Sequence, residues 1–275
     1  MKKNYLWTNL KSRLQLIHST KGANYNWLFL PGGPGLGSES LYPLTKILDL
    51  PGTMWHLDLP GDGSNHTQDD AEYFSHWSEA LVEAVDAFEN TILVAHSTGG
   101  MYALATPALE KKLTGLVLMD SAPDASWQEL FGRVVEAHPI PDMDKLHQQY
   151  VAAPNDQILK ELTILSTLYL FTKEGLKKDI SFLNSLPYNH KTCDWSAKHF
   201  DQTYKAKWIP NNLPTLIFSG EYDQVTFDLF SNSQEFLSKM IMIRKIKNAA
   251  HFPWIENPQE VIDVFTEFVR TLTEG

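Results

Sequence analysis

The chain has 275 residues, 43% hydrophobic and 20% charged, with a formal net charge of −10 and a single cysteine. This composition excludes a disordered or fibrous chain, and the length suits one α/β domain carrying an inserted subdomain. The negative charge repels phosphate backbones and anionic lipid, which argues against nucleic acid or acidic membranes as partners.

Cys193 has no second cysteine to pair with, which suits a reducing compartment. Lys2 and Lys3 open the chain, but Asn9, Lys11, Ser12 and Arg13 interrupt the next stretch, so the apolar run of about 7 to 15 residues needed for a secretory signal is missing. No stretch approaches the roughly 18 apolar residues of a membrane span. A cytoplasmic protein without a membrane span is expected; nothing in the sequence speaks to its oligomeric state.

In chain order, residues 5–10 and 13–18 read as an antiparallel hairpin. Trp27-Leu28-Phe29-Leu30 is a continuous apolar run stopped by Pro31-Gly32-Gly33-Pro34-Gly35, the pattern of a strand buried on both faces. Residues 54–59, 92–95, 116–119, 216–219 and 240–246 repeat it. Between the first and second of these, Trp77, Leu81, Val85 and Phe88 recur at helical spacing from Phe74 onward. Near the end, Asn257-Pro258-Gln259-Glu260 predicts a helix start, with Asn as cap, Pro at the first position and Glu reaching back. Val261, Val264, Phe265, Phe268 and Leu272 then make one apolar stripe.

Strands alternating with helices predict a mostly parallel central sheet with helices on both faces. The alternation pauses over residues 124–210, where the pattern is helical throughout. The predicted organisation is therefore a core of residues 1–123 and 211–275, with residues 124–210 as a helical lid.

Candidate chemistry sits at strand ends. In Val94-Ala95-His96-Ser97-Thr98-Gly99-Gly100, Ser97 occupies a sharp strand-to-helix turn that lifts its hydroxyl toward the cleft. The helix start also offers free N–H groups to a developing negative charge. This segment resembles the nucleophile elbow G-x-S-x-G of the α/β-hydrolase family, with Ala95 in place of the first glycine.

The resemblance implies a serine hydrolase of that fold. Carried over by position, Gly33 in the Gly/Pro loop and Thr98 after the nucleophile supply the two N–H groups of an oxyanion hole. That loop lacks the Lys and Ser/Thr of a phosphate-binding P-loop. The family order of Ser, acid and His points to Asp223, in Ser219-Gly220-Glu221-Tyr222-Asp223, and His251, in Asn248-Ala249-Ala250-His251. His251 would serve as base and Asp223 as the group that orients it. Asp120 follows another strand and is the alternative acid. His96 neighbours the nucleophile, but adjacent residues on a tight turn point different ways. Asp58-Leu59-Pro60-Gly61-Asp62-Gly63-Ser64 resembles a family loop of architectural role.

The implied reaction is acyl transfer through Ser97, with no cofactor and no metal. A serine nucleophile argues against the haloalkane dehalogenase and epoxide hydrolase branches, which use Asp there. The Gly-Gly-Pro-Gly loop is similar to that of proline iminopeptidases. Those enzymes usually carry Trp after the nucleophile, where this chain has Thr98, and they bind the substrate amine with lid carboxylates. Glu129, Glu136, Glu161 and Glu174 are the acids of the insertion weighed for that role. The expected substrate is a small molecule: an ester or thioester of a small to medium apolar acyl group. An aminopeptidase acting on a short peptide-like substrate, an acyltransferase and a non-catalytic ligand-binding relative are the alternatives. Trp127, Phe131, Tyr169 and Trp195 are candidate linings of an apolar pocket.

Overall fold

A computed structural model of the chain describes residues 4–21 and 23–273. Eight strands occur among them: β1 (Tyr5–Trp7), β2 (Arg13–Ser19), β3 (Asn26–Leu30), β4 (Thr53–Asp58), β5 (Thr91–His96), β6 (Leu113–Met119), β7 (Thr215–Gly220) and β8 (Ile241–Ile246). They form one sheet in the order β1-β2-β4-β3-β5-β6-β7-β8. β1 and β2 are an antiparallel hairpin, β2 runs antiparallel to β4, and the other neighbours are parallel.

Residue parity explains the unbroken apolar runs. Leu28 and Leu30 of β3, Leu93 and Ala95 of β5, and Leu116 and Leu118 of β6 enter the core on one face. Their neighbours Trp27, Phe29, Ile92, Val94, Val117 and Met119 enter the core on the other. Successive side chains of a strand point to opposite faces, so a strand covered on both sides needs an apolar residue at every position.

Helices supply the cover. Phe74 of α2 (Asp70–Phe74), Leu81 and Val85 of α3 (Trp77–Asp86) and Leu104 of α4 (Thr98–Ala105) join the first core, whereas Leu44 of α1 (Tyr42–Ile47) joins the second. The helix predicted from Phe74 is thus two pieces, because His76 has a non-helical ψ of 21°. Phe88 lies past the end of α3 and packs on Trp55, with ring centroids 4.7 Å apart.

Between β6 and β7 the chain forms α5 (Trp127–Ala137), α6 (Met143–Ala152), α7 (Asp156–Leu165), α8 (Thr167–Leu170) and α9 (His190–His199), with short 3-10 turns between the last two. The segment leaves and re-enters the core at one place. Asp124 and Lys205 form an isolated antiparallel bridge, flanked by Ala206 N–H to Pro123 O at 2.8 Å and Ala125 N–H to Tyr204 O at 2.9 Å. After β8 come α10 (Pro253–Glu256) and α11 (Pro258–Thr273), whose Val261, Val264, Phe265 and Phe268 are buried. Glu260 does not reach the backbone N–H of Asn257, which donates to Pro253 O at 2.7 Å as the last bond of α10. Its carboxylate accepts from the Asn257 side-chain amide and from Lys247 N–H instead. Among the described residues, no helix is long and apolar enough to cross a membrane.

The chain steps from β3 out to β4, then crosses back to β5 on the other side of β3. Such a reversal opens a crevice at the carboxyl ends of the strands. The loops after β3, β5, β6, β7 and β8, which hold the predicted triad, the oxyanion donors and the alternative acid, all emerge there.

Candidate active site

Ser97 follows β5 directly and begins α4, with φ +50° and ψ −122°. Few non-glycine residues hold such a backbone; surrounding structure must impose it. Here Ser97 N–H donates to Met119 O at 2.8 Å, and Ser97 O accepts from the Ser121 hydroxyl at 2.8 Å. Small neighbours make the turn possible. A Cβ on Gly99 would collide with Pro31 O, and one on Gly32 would lie 2.5 Å from the Ser97 Cβ. The loop after β3 therefore rests directly against the serine. The N–H groups of Gly33 and Thr98 donate to no acceptor among the described residues.

His251 stands on the loop after β8 and Asp223 on the loop after β7. The Ser97 hydroxyl donates to His251 Nε2 at 3.1 Å, and His251 Nδ1–H donates to Asp223 Oδ1 at 3.1 Å. Asp223 also accepts from Val225 N–H and the Thr226 hydroxyl. All three side chains are buried: Ser97 is 9% exposed, Asp223 6% and His251 4%. Burial by itself would raise the Asp223 carboxyl, but the facing His251 and the hydrogen bonds from Thr226 and Val225 outweigh it and hold it below the ordinary carboxylate range. An ionised carboxylate so fixed keeps the proton on Nδ1 and leaves Nε2 free to accept the serine proton.

A sequence profile described as "Alpha/beta hydrolase family" matches residues 27–264. The chain belongs to this family. It is 25% identical over 280 residues to a proline iminopeptidase of Saccharolobus solfataricus, covering 92% of this chain and 87% of that one. Among solved structures, a proline iminopeptidase-related protein of Thermus thermophilus superposes with a TM-score of 0.72 at 19% identity, covering 99% of both chains. A thermophilic esterase of Thermogutta terrifontis superposes with a TM-score of 0.69 at 17% identity, again covering 99% of both. At these identities the structural likeness speaks to the fold.

In this α/β hydrolase the two candidate acids have different surroundings. Asp120, at the end of β6 with φ +44°, is fully buried; its Oδ1 accepts Gly220 N–H at 2.9 Å, and its Oδ2 has no partner among the described residues. Burial, and then the charge of Asp223, push its carboxyl well above the ordinary range. Asp120, Asp223 and His251 have ligand-type atoms within 4.8 Å of one another. His251 Nδ1 and Asp223 Oδ1 are, however, already engaged with each other, and Asp120 Oδ1 with Gly220 N–H; the group has the chemistry of a hydrogen-bonded relay rather than of a cation cage.

His96 turns away from the serine and donates from Nε2 to the carbonyl oxygen of His251 at 3.1 Å. Desolvation, and then the nearby His251, lower its pKa well below the ordinary histidine range, so it is neutral. Asp62, in the loop after β4, accepts Gly35 N–H at 2.6 Å and so props the Gly/Pro loop from behind. Asp58 accepts Ser38 N–H and pairs with Arg13. Burial, and then the charge of Asp58, push the Asp62 carboxyl up to about 7.

Of the aromatic residues in the insertion, Trp195 packs on Phe74, with centroids 5.6 Å apart, and Trp127 packs against the same core. Phe131 and Tyr169 face each other edge to face at 5.6 Å. A cleft of about 690 Å³ lies between the insertion and the acid loop, with Ile140, Phe171 and Thr172 on one wall and Tyr222 and Gln224 on the other. Sequence reasoning missed Glu256, a buried carboxylate joining the insertion to the histidine loop. Its signal was faint: an acid next to Asn257-Pro258 reads as ordinary helix-start chemistry.

Proposed function

We propose that this chain is a serine hydrolase that cleaves a carboxylic ester or thioester of a small to medium apolar acyl group. The observation that carries the reading is the Ser97–His251–Asp223 hydrogen-bond chain, 3.1 Å at each link, on a backbone turned to φ +50° at the serine. In this reading the Ser97 oxygen attacks the acyl carbon as His251 Nε2 takes its proton. The tetrahedral oxyanion is met by the N–H groups of Gly33 and Thr98; removing one such donor typically costs about 2.7–4 kcal/mol. The intermediate collapses with proton transfer from His251 to the leaving oxygen or sulfur, forming an acyl-enzyme. Water, activated by the same imidazole, then releases the acid. Residues 124–210 act as a lid, and no metal or cofactor takes part.

Aminopeptidase action is the second reading, favoured by the Gly-Gly-Pro-Gly loop and by the proline iminopeptidase relative. Against it, Glu129, Glu136, Glu161 and Glu174 are all exposed, and Glu129 and Glu174 pair with Arg133 and Lys177 on the surface. A substrate amine held in a buried cleft needs a desolvated carboxylate, and none of these four is one.

A fluorophosphonate probe tests the nucleophile: labelling is expected in the native chain and lost in Ser97→Ala. p-Nitrophenyl esters of rising acyl length, run beside a prolyl arylamide, test the leaving group. Ester turnover is expected; activity confined to the arylamide would overturn the esterase reading while sparing the nucleophile.

A further inference from the structure

The backbone of the histidine loop is held residue by residue. Ala249 O accepts Tyr222 N–H at 2.8 Å, beside the acid. His251 O accepts from His96. His251 N–H donates to Leu170 O at 3.1 Å, and Ala250 N–H donates to Glu256 Oε2 at 2.7 Å. Two of these four partners look inward to the sheet. The other two lead to the helical insertion, because Leu170 is the last residue of α8 and Glu256 binds the residue two places further on. Glu256 Oε1 accepts both the N–H of Thr172 at 2.9 Å and its hydroxyl at 2.7 Å.

The seat of this carboxylate is built for it. Glu256 is 9% exposed, and a Cβ on Gly175 would collide with its Oε1. Gly175 N–H in turn donates to the Thr172 hydroxyl oxygen at 2.9 Å, which leaves that hydroxyl proton directed to Glu256. A buried carboxylate is costly unless hydrogen-bonded, and a surface helix cap needs none of this.

We propose that Glu256 is a positioning residue: it ties the 170–175 segment of the insertion to the backbone beside His251, so that the insertion sets where the imidazole stands relative to Ser97. The proposal rests on the reading of His251 as the base. Because Thr172 also lines the cleft beside the acid loop, the tie runs from a wall of that cleft to the reacting imidazole. Glu256 has no hydrogen bond to Ser97 or to the His251 side chain; it acts through the Ala250 peptide.

The test measures kcat and KM for p-nitrophenyl acetate, the rate of fluorophosphonate labelling and the melting temperature in Glu256→Gln, Gly175→Ala and their double variant. Gln keeps one acceptor but turns an NH2 toward the other N–H. Gly175→Ala evicts the carboxylate from the insertion side without altering residue 256. Since misplacement of a reacting group by about 1 Å can cost about 100-fold, each single variant is expected to lose roughly 10- to 100-fold in kcat and in labelling rate, with KM changed less than about 2-fold. The double variant is expected to lose no more than the worse single one. Wild-type kcat and labelling rate in Glu256→Gln would overturn the proposal, as would losses in the two singles that multiply. Should Glu256→Gln fail to fold, Thr172→Val decides: it deletes the hydroxyl bond to Oε1 together with the acceptor of Gly175 N–H, so a smaller kcat-only loss supports the tie and an unchanged kcat refutes it. Labelling that survives Ser97→Ala signals failure of the underlying reading instead.

Discussion

The carboxyl edge of the sheet and the helical insertion behave as two kinds of structure in one chain. At the sheet edge, Ser97, Asp120, Asp223 and His251 are buried, and Ser97 and Asp120 sit on positive-φ backbone held by neighbouring strands. In the insertion, α5 and α6 contain no fully buried residue, and Val151 and Leu168 are 68% and 52% exposed. The difference is one of packing. An over-determined backbone holds side chains at fixed distances, and strands packed on both faces provide it. The insertion is held instead by an amphipathic face and a few anchors, such as the Asp124–Lys205 bridge and Glu256.

Substitutions along the two regions sharpen the contrast. The largest expected effect is chemical: Ser97→Ala should lower kcat by about 10⁵-fold or more at an unchanged melting temperature, measured by ester hydrolysis. An equal loss of stability would mean that the serine serves the fold instead. Next comes the sheet core. Phe268→Ala on α11 removes a fully buried ring that packs on Trp27, with centroids 6.4 Å apart, and should cost about 3–5 kcal/mol in chemical denaturation.

Asp62→Asn tests the support beneath the Gly/Pro loop. The Asp62 carboxyl lies at about 7 in the fold against an ordinary 3.8. The folded chain therefore keeps a proton that the unfolded chain releases, and stability falls as pH rises from about 4 to about 7, staying low above that. Asn removes this dependence. It should stabilise the protein at pH 8 by on the order of 2–4 kcal/mol and flatten the stability profile between those limits. A steeper acid-side profile in the variant would contradict the assignment. The smallest effect belongs to the insertion surface: Val151→Ser should shift stability by no more than about 0.5 kcal/mol. A loss of several kcal/mol there would erase the distinction between the two regions.

Much of the fold could be read directly from the chain. Doubly buried strands announce themselves as unbroken apolar runs, and Trp27–Leu30 with its Pro-Gly terminator needs no partner to be recognised. α11 was equally legible, from its cap and its stripe. The candidate serine and histidine stand out for the same reason, since each is tied to a short local pattern at a strand end. The acid was not so marked: Asp120 and Asp223 both follow strands, and the wiring of side chains across β6, β7 and β8 separates them. Trp195, considered as a pocket lining, packs on Phe74 instead, because helical periodicity tells which residues are apolar but not which surface they meet.

The sequence by itself determined the alternation of strand and helix, the helical stretch between β6 and β7, and the glycine-rich turns on which the candidate chemistry stands. All of these are written in contacts between residues close along the chain. The family resemblance pointed to Asp223 with Asp120 as the alternative, and the tertiary structure sets Asp223 against His251; tertiary structure alone decided that Asp62 braces the loop after β3 and that Glu256 joins the insertion to the histidine loop. Those outcomes depend on groups brought within hydrogen-bond reach from distant parts of the chain, and a short-range pattern carries no record of which distant group will arrive.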